Sequence, residues 1–455
     1  MRESLEESVL RRIRPSEEEI EHVHRVAERL VAAVNGTGQA HGMVVGSVAR
    51  HTWVSGDRDL DIFILLPPSF SREELEKRGL SIARCIAQEQ GGEYREKYAE
   101  HPYINTTIDG LDVDLVPCFA VENATEIQSS VDRTPFHTLY VERRIGSLAD
   151  DVLLVKQLAK CGGVYGSDQM TEGFSGYLCE LLILAYQGFL PLLTAAASWR
   201  PPVCIDLEGH ATKTFSEPLV VVDPVDPGRN VGAAVSLTRM AEFIELARGY
   251  IADPSEIFFE QPPAADSTRT AFAKAIGERG TSFIGITFDT PPLIPEIVVP
   301  QLRKSMESLR GLLERNGFIV NRSDSAMGAE KSILLFELLV DRLPMVRKHL
   351  GPPVWSPANA EKFRAKYTDP DFSGPYIENG LYIVEVCRRY RDAGSLLRSE
   401  EAIEVALGRH VRASMEHGWS VLEGVECWSP EYAQFLHSFL FKSSPLEKIR
   451  KRRTG

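Results

Sequence analysis

Asp59 and Asp61, one residue apart in a 455-residue chain, form the pair whose type and spacing can do chemistry. On a strand, alternate side chains share a face, so both carboxylates of Asp59-Leu60-Asp61-Ile62 point one way while Leu60 and Ile62 enter a core. Two adjacent carboxylates can hold a divalent ion, and magnesium combines one or two of them with water and substrate phosphate oxygens. A third carboxylate comes from Leu111-Asp112-Val113-Asp114-Leu115, whose apolar residues take the core side and leave Asp112 and Asp114 on the other. Asp114 is the favoured ligand, and a contribution from Asp112 stays open. Such a site suits in-line phosphoryl transfer, one ion activating the attacking hydroxyl and the other stabilising a leaving pyrophosphate.

Upstream, Gly46-Ser47 stands where a strand hands over to a helix. A glycine there lets backbone N–H groups and the serine hydroxyl approach a phosphate, and Arg50, one turn on, can neutralise it. Paired aspartates alone are common on solvated strand ends. The Gly-Ser turn, Arg50 and the later aspartate are what favour a functional reading. Two other chemistries fail on their own terms: Gly173-Phe174-Ser175-Gly176-Tyr177 lacks the second glycine of a nucleophile elbow, and no Walker glycine-lysine motif occurs.

The elements that position these residues follow from periodicity. Residues 15–34 read as a helix, 43–45 and 60–66 as strands around a short helix, and 72–89 as a further helix. Asp109-Gly110 is a two-residue hairpin signal joining strands 103–108 and 111–116. Beyond about residue 147 the pattern becomes helical, over 152–158 and 177–189. After the Pro-rich stretch near 260, strands 282–288 and 333–339 alternate with helices 300–316 and 402–416. The expected fold is α+β and multidomain: a mixed-sheet head (1–146), a helical central domain (147–260) and an α/β C-terminal body and tail (261–455). The terminal LEKIRKRRTG is expected to be frayed and solvated.

Composition bounds the rest. Seven scattered cysteines without CxxC spacing exclude a zinc ribbon or disulfide framework. The charged N-terminus and the lack of a long apolar run point to a cytoplasmic protein with no membrane partner. Net charge is −13, of which residues 1–260 carry −16 and residues 261–455 carry +3, so a polyanion is expected to dock on the C-terminal part.

Longer words narrow the reading. GSVARHTW (46–53), HPYINT (101–106), DLVPCF (114–119), VDRTPFHTLYV (131–141), VYGSD (164–168), GFSGYLCELL (173–182) and DPVDPGRN (223–230) resemble, in order, the archaeal (class I) CCA-adding enzymes of the DNA polymerase β nucleotidyltransferase superfamily. The likeness is clear to about residue 250 and weak beyond, through PQL (300–302) and YIENG (376–380). It implies addition of CMP, CMP and AMP from CTP and ATP to the 3′ end of tRNA, without a nucleic-acid template, by a Mg²⁺-dependent homodimer. Carried over residue by residue, Gly46, Ser47, Arg50, His137, Lys156 and Tyr165 would bind nucleotide, Arg229 would help to select the base, and Asp59, Asp61 and Asp114 would hold the metals. His101 resembles a residue near the family's active site. A poly(A)- or oligoadenylate-type polymerase and a non-catalytic RNA-binding relative are the alternatives, and the intact carboxylates speak against the second.

Overall fold

The computed structural model describes residues 4–98, 101–263 and 267–454. It divides into two compact units, one of residues 1–262 with 443–455 and one of residues 263–442.

The first unit begins with α1 (Leu5–Ile13) and α2 (Glu17–Gly36). The Ser16 hydroxyl caps α2 by accepting from the Glu19 amide, as the Ser-Glu start signal anticipates. Next come β1 (His41–Val45), the single turn α3 (Gly46–Ala49), β2 (Asp59–Leu66), α4 (Arg72–Glu89), β3 (Tyr94–Tyr98), β4 (Pro102–Ile108) and β5 (Leu111–Phe119). Ser71 and Glu74 close a capping box at the start of α4. Asp109 and Gly110 both take positive φ, 50° and 81°, the geometry of a tight hairpin turn. The sheet runs β1-β2-β5-β4-β3, with β2 and β5 parallel and the other pairs antiparallel. Leu60, Ile62, Ile64, Val113 and Leu115 enter the core beneath α2 and α4, which leaves the aspartates of both central strands on the opposite face.

Helices α5 (Arg133–Ile145), α6 (Ala149–Cys161), α7 (Gly176–Tyr186), α8 (Phe189–Ala196) and α9 (Leu237–Ala252) build a second core. Between α8 and α9 lies a short parallel pair, β6 (Val203–Ile205) and β7 (Leu219–Val221), which periodicity does not signal. The helix read over 177–189 is in fact two. Gln187 adopts left-handed φ, Gly188 lies at φ 143°, and Asp151 Oδ1 accepts from the Phe189 amide to start α8. Among the described residues no single helix is long and apolar enough to cross a membrane, and the apolar α7–α8 pair bends by 93°.

The terminal basic stretch is neither frayed nor part of the C-terminal body. It forms a helix, Pro445–Thr454, grouped with the first unit. Leu446 and Ile449 are buried in the helical core, with Leu446 against Gly249 of α9. Arg452 donates to the carbonyls of Ile257 and Glu260, and Arg453 pairs with Asp253.

The second unit contains α10 (Arg269–Arg279), β8 (Ser282–Asp289), α11 (Pro295–Arg315), β9 (Ile319–Met327), β10 (Lys331–Val340), β11 (Val346–Pro353), α12 (Pro357–Lys366), β12 (Ser373–Glu378), β13 (Leu381–Cys387), α13 (Ala393–Leu397), α14 (Glu401–Glu404), α15 (Arg409–His417), β14 (Trp419–Glu423) and α16 (Ala433–Leu440). An antiparallel sheet, β14-β8-β10-β9, is covered on both faces, which explains the consecutive apolar residues Ile333 to Phe336 of β10. A second sheet runs β11-β13-β12. The helix read over 402–416 is broken between α14 and α15. Val405 is extended, the Gly408 amide donates to Ser305 Oγ, and a side chain at 408 would collide with Gln301.

Leu446→Ala should lower unfolding stability by about 2–4 kcal/mol, because the hole it leaves beside Gly249 is lined by rigid helix backbone. Denaturant unfolding of the full chain measures this, and a loss below about 1 kcal/mol would show that the terminal helix contributes little packing.

Candidate active site

The parallel register of β2 and β5 sets Asp59 opposite Asp112 and Asp61 opposite Asp114. β1 adds Val45 beside Asp61, so the chain turns into α3 immediately over that carboxylate. Gly46 there has φ 75°, and a Cβ would run into Asp61 Oδ2. The position therefore requires glycine both for its backbone and for the space. On the other side Asn105 of β4 donates from Nδ2 to Asp112 Oδ1 at 2.5 Å and to Asp114 Oδ1 at 2.7 Å. Asp112 is thus tied to Asp114 through a shared amide.

These carboxyls are hard to ionise together. Burial, then Asp114 and Asp59, push the Asp61 carboxyl up to about 7, with Arg50 pulling the other way. Burial also raises Asp59 and Asp114, Asp57 and Asp112 adding to the first while the Asn105 hydrogen bond opposes the shift of the second. Mutually repelling oxygen donors fit a divalent cation. Among the described residues no three acidic, imidazole or thiol groups are arranged as a ready ion cage, so substrate phosphate oxygens and water would supply the remaining ligands.

Arg50 follows at the end of α3 and is 6% exposed. Its Nε lies 2.9 Å from Glu180 Oε2, and its Nη1 donates to Thr138 Oγ1 at 3.3 Å. Lys156, on α6, is 2% exposed, donates from Nζ to the Thr52 carbonyl at 2.8 Å, and lies 3.5 Å from Glu180 Oε1. Burial lowers its pKa and Glu180 partly restores it. The Tyr165 hydroxyl and Lys156 Nζ converge on Gly176, where an added Cβ would stand 3.1 Å and 3.5 Å from them. Burial raises the Tyr165 phenol, so it is a neutral donor.

A second buried carboxylate organises the other residues. Asp223 Oδ2 meets His137 Nε2 at 2.9 Å and Arg229 Nη1 at 2.7 Å, while Oδ1 accepts from the Val225 amide. Burial opposes its charge, but these donors outweigh burial and hold the carboxyl below its usual range. Burial lowers the His137 imidazole, which stacks on Tyr177 at 4.2 Å, so at neutral pH the neutral ring donates to Asp223. His101 is not drawn to the carboxylates: its Nε2 bonds the Pro117 carbonyl, beyond the Asp114 end of β5.

Comparison with known proteins agrees in order along the chain. A nucleotidyltransferase domain model matches residues 38–137, a tRNA nucleotidyltransferase second-domain model matches 150–260, and a CCA-adding enzyme C-terminal domain model matches 279–424. The CCA-adding enzyme of Methanoregula boonei is 56% identical over 97% of this chain and 96% of its own length. That of Methanosarcina acetivorans is 40% identical over 96% and 98%, and that of Haloarcula marismortui 40% over 91% and 93%. The chain belongs to the CCA-adding enzyme family.

Within this member of the family, four polar residues of the site escaped the sequence reading: Glu180, Asp223, Asn105 and Thr52. Glu180 carried a usable signal. It is the one charged residue of the apolar helix Gly176–Tyr186, where a carboxylate is costly unless paired. Asp223 looked like a loop acid beside Arg229, and nothing local marks Asn105.

Asp61 yields a test of the electrostatics. Its folded pKa lies above the ordinary 3.8, so protonation favours the fold: that stability is complete below about pH 4 and is lost as pH rises through about 7. Asp61→Asn should leave Tm unchanged near pH 4 and, in divalent-free buffer at pH 8, raise it by the equivalent of on the order of 1–2 kcal/mol. Calorimetry at the two pH values decides it, and an unchanged Tm at pH 8 would refute the repulsion.

Proposed function

We propose that this chain adds CMP, CMP and AMP from CTP and ATP to the 3′ end of tRNA by magnesium-dependent nucleotidyl transfer, releasing pyrophosphate at each step. The single observation that carries the chemistry is the in-register pair Asp61 and Asp114, with Gly46 packed against Asp61.

In this reading Asp59, Asp61 and Asp114 hold the metals, and magnesium bound there would polarise the 3′ hydroxyl and neutralise the leaving pyrophosphate. Gly46 gives the triphosphate close access to backbone amides, and Ser47 adds a hydroxyl donor. Arg50 carries the counter-charge that Asp61 feels. Lys156 is enclosed by Thr52 and Glu180, so it supplies positive potential from within and reaches phosphate only if that contact opens. Tyr165 and His137 donate to phosphate or ribose oxygens as neutral groups. Arg229, 39% exposed and held on one edge by Asp223, keeps donors for the edge of the incoming base. The first unit is the catalytic part, and the unit of residues 263–442, with its family-matched C-terminal domain, takes the body of the tRNA.

A poly(A)-type relative would extend RNA with ATP alone and continue. Here tRNA lacking its terminal CCA, given each nucleotide separately and then together with magnesium, should take CTP first, then ATP, and stop after three additions. Extension by ATP alone would overturn the reading. Asp61→Ala should cut incorporation by roughly a thousandfold while leaving tRNA affinity unchanged in a gel-shift assay.

A further inference from the structure

We propose that Glu180 is the positioning residue of the triphosphate site, the carboxylate that aims Arg50, with Lys156 behind it, at an incoming nucleotide. The inference rests on the nucleotidyl-transfer reading, and it concerns a side chain that would touch neither substrate nor metal.

Glu180 is 0% exposed in a helix with no other charged side chain. A carboxylate is an expensive way to hold helices together there, because a leucine would pack without desolvating a charge. Its two oxygens have different tasks. Oε1 is locked, accepting from Thr52 Oγ1 at 2.5 Å and facing Lys156 Nζ at 3.5 Å. Oε2 meets Arg50 Nε at 2.9 Å without an aligned hydrogen bond. The guanidinium is therefore oriented by Glu180 at its Nε edge and by Thr138 at Nη1.

The charge count points the same way. Two basic side chains, Arg50 and Lys156, share one buried carboxylate behind the Gly46-Ser47 turn, so Glu180 alone does not neutralise both. A bound triphosphate would supply further negative charge to Arg50. Through Thr52, whose amide donates to the Ser47 carbonyl, Glu180 also fixes the end of that turn. One side chain on α7 thus holds the backbone that meets phosphate and the guanidinium that neutralises it.

The test is steady-state kinetics of the full chain with CCA-less tRNA, magnesium and CTP for wild type, Glu180→Gln, Glu180→Asp, Arg50→Lys and the Glu180→Gln/Arg50→Lys double variant. Glu180→Gln should raise KM for CTP by roughly 10–100-fold and leave KM for tRNA within about twofold. Glu180→Asp keeps the buried charge balanced, so it retains the fold if the glutamine variant does not. Being one methylene shorter, it should still raise KM for CTP roughly three- to tenfold. In the Arg50→Lys background, Glu180→Gln should add less than about half of its effect, measured as the logarithm of KM. A purely structural role predicts wild-type KM for CTP in Glu180→Asp, or parallel shifts for CTP and tRNA, and either result overturns the proposal. If the wild type itself adds no CMP, the transfer reading falls instead. Calorimetric titration of the same proteins with magnesium and CTP then decides the role of Glu180, weaker binding by the variants supporting it and equal binding refuting it.

Discussion

The parallel register that sets Asp61 opposite Asp114 is the constraint on which the rest of the site depends. Leu60, Ile62, Val113 and Leu115 pin it from behind, since a one-residue slip of either strand would turn aspartates into the core. The hydrophobic effect thereby holds together charges that would otherwise part. Other features follow from that confinement. Asn105 can reach two carboxylates because they share an edge, and residue 46 can only be glycine because Asp61 occupies the space a Cβ would need.

Buried carboxylates in this unit respond in opposite directions, and the difference separates their tasks. Asp223 is surrounded by donors and is held below the usual range, whereas Asp61 is surrounded by other acids and is pushed to about 7. The first is a finished structural anion that aligns His137 and Arg229. The second is relieved by protonation or, on the proposed function, by a bound cation. On the proposed function, the free protein carries unfavourable electrostatics in the place where substrate and metal would relieve them.

Local patterns explain how much was legible in advance. Strand alternation alone put Asp59, Asp61 and Asp114 on one face, and Asp109-Gly110 marked its hairpin, because both depend on neighbours in sequence. The break after Tyr186 and the interruption at Gly408 were not visible: a contact from Asp151 or Ser305, distant in the chain, decides each. The same limit hid Glu180 and Asp223, which also pair with residues 128 to 130 and 86 positions away, at the end of α3 and its loop and on α5. Lys156, expected as a nucleotide-binding cation, is enclosed by its pairing with the Thr52 carbonyl and Glu180.

The charge distribution changes meaning once the chain is folded. Lys448, Arg450, Lys451, Arg452 and Arg453 against Glu447 give the last 13 residues +4, and these belong to the first unit, which leaves residues 263–442 at −1. The basic surplus of the C-terminal part is therefore that one helix, and part of it is already engaged with Asp253 and with backbone carbonyls. A unit near neutrality has little net charge with which to draw RNA from a distance, since phosphate attraction depends on concentrated Lys and Arg. On the proposed function, recognition of tRNA by this part of the chain would rest on short-range complementarity, on individual cations placed against particular phosphates and on surface shape. That mode suits an enzyme whose substrates share an architecture and differ in sequence, because shape is common to them all while base edges are not.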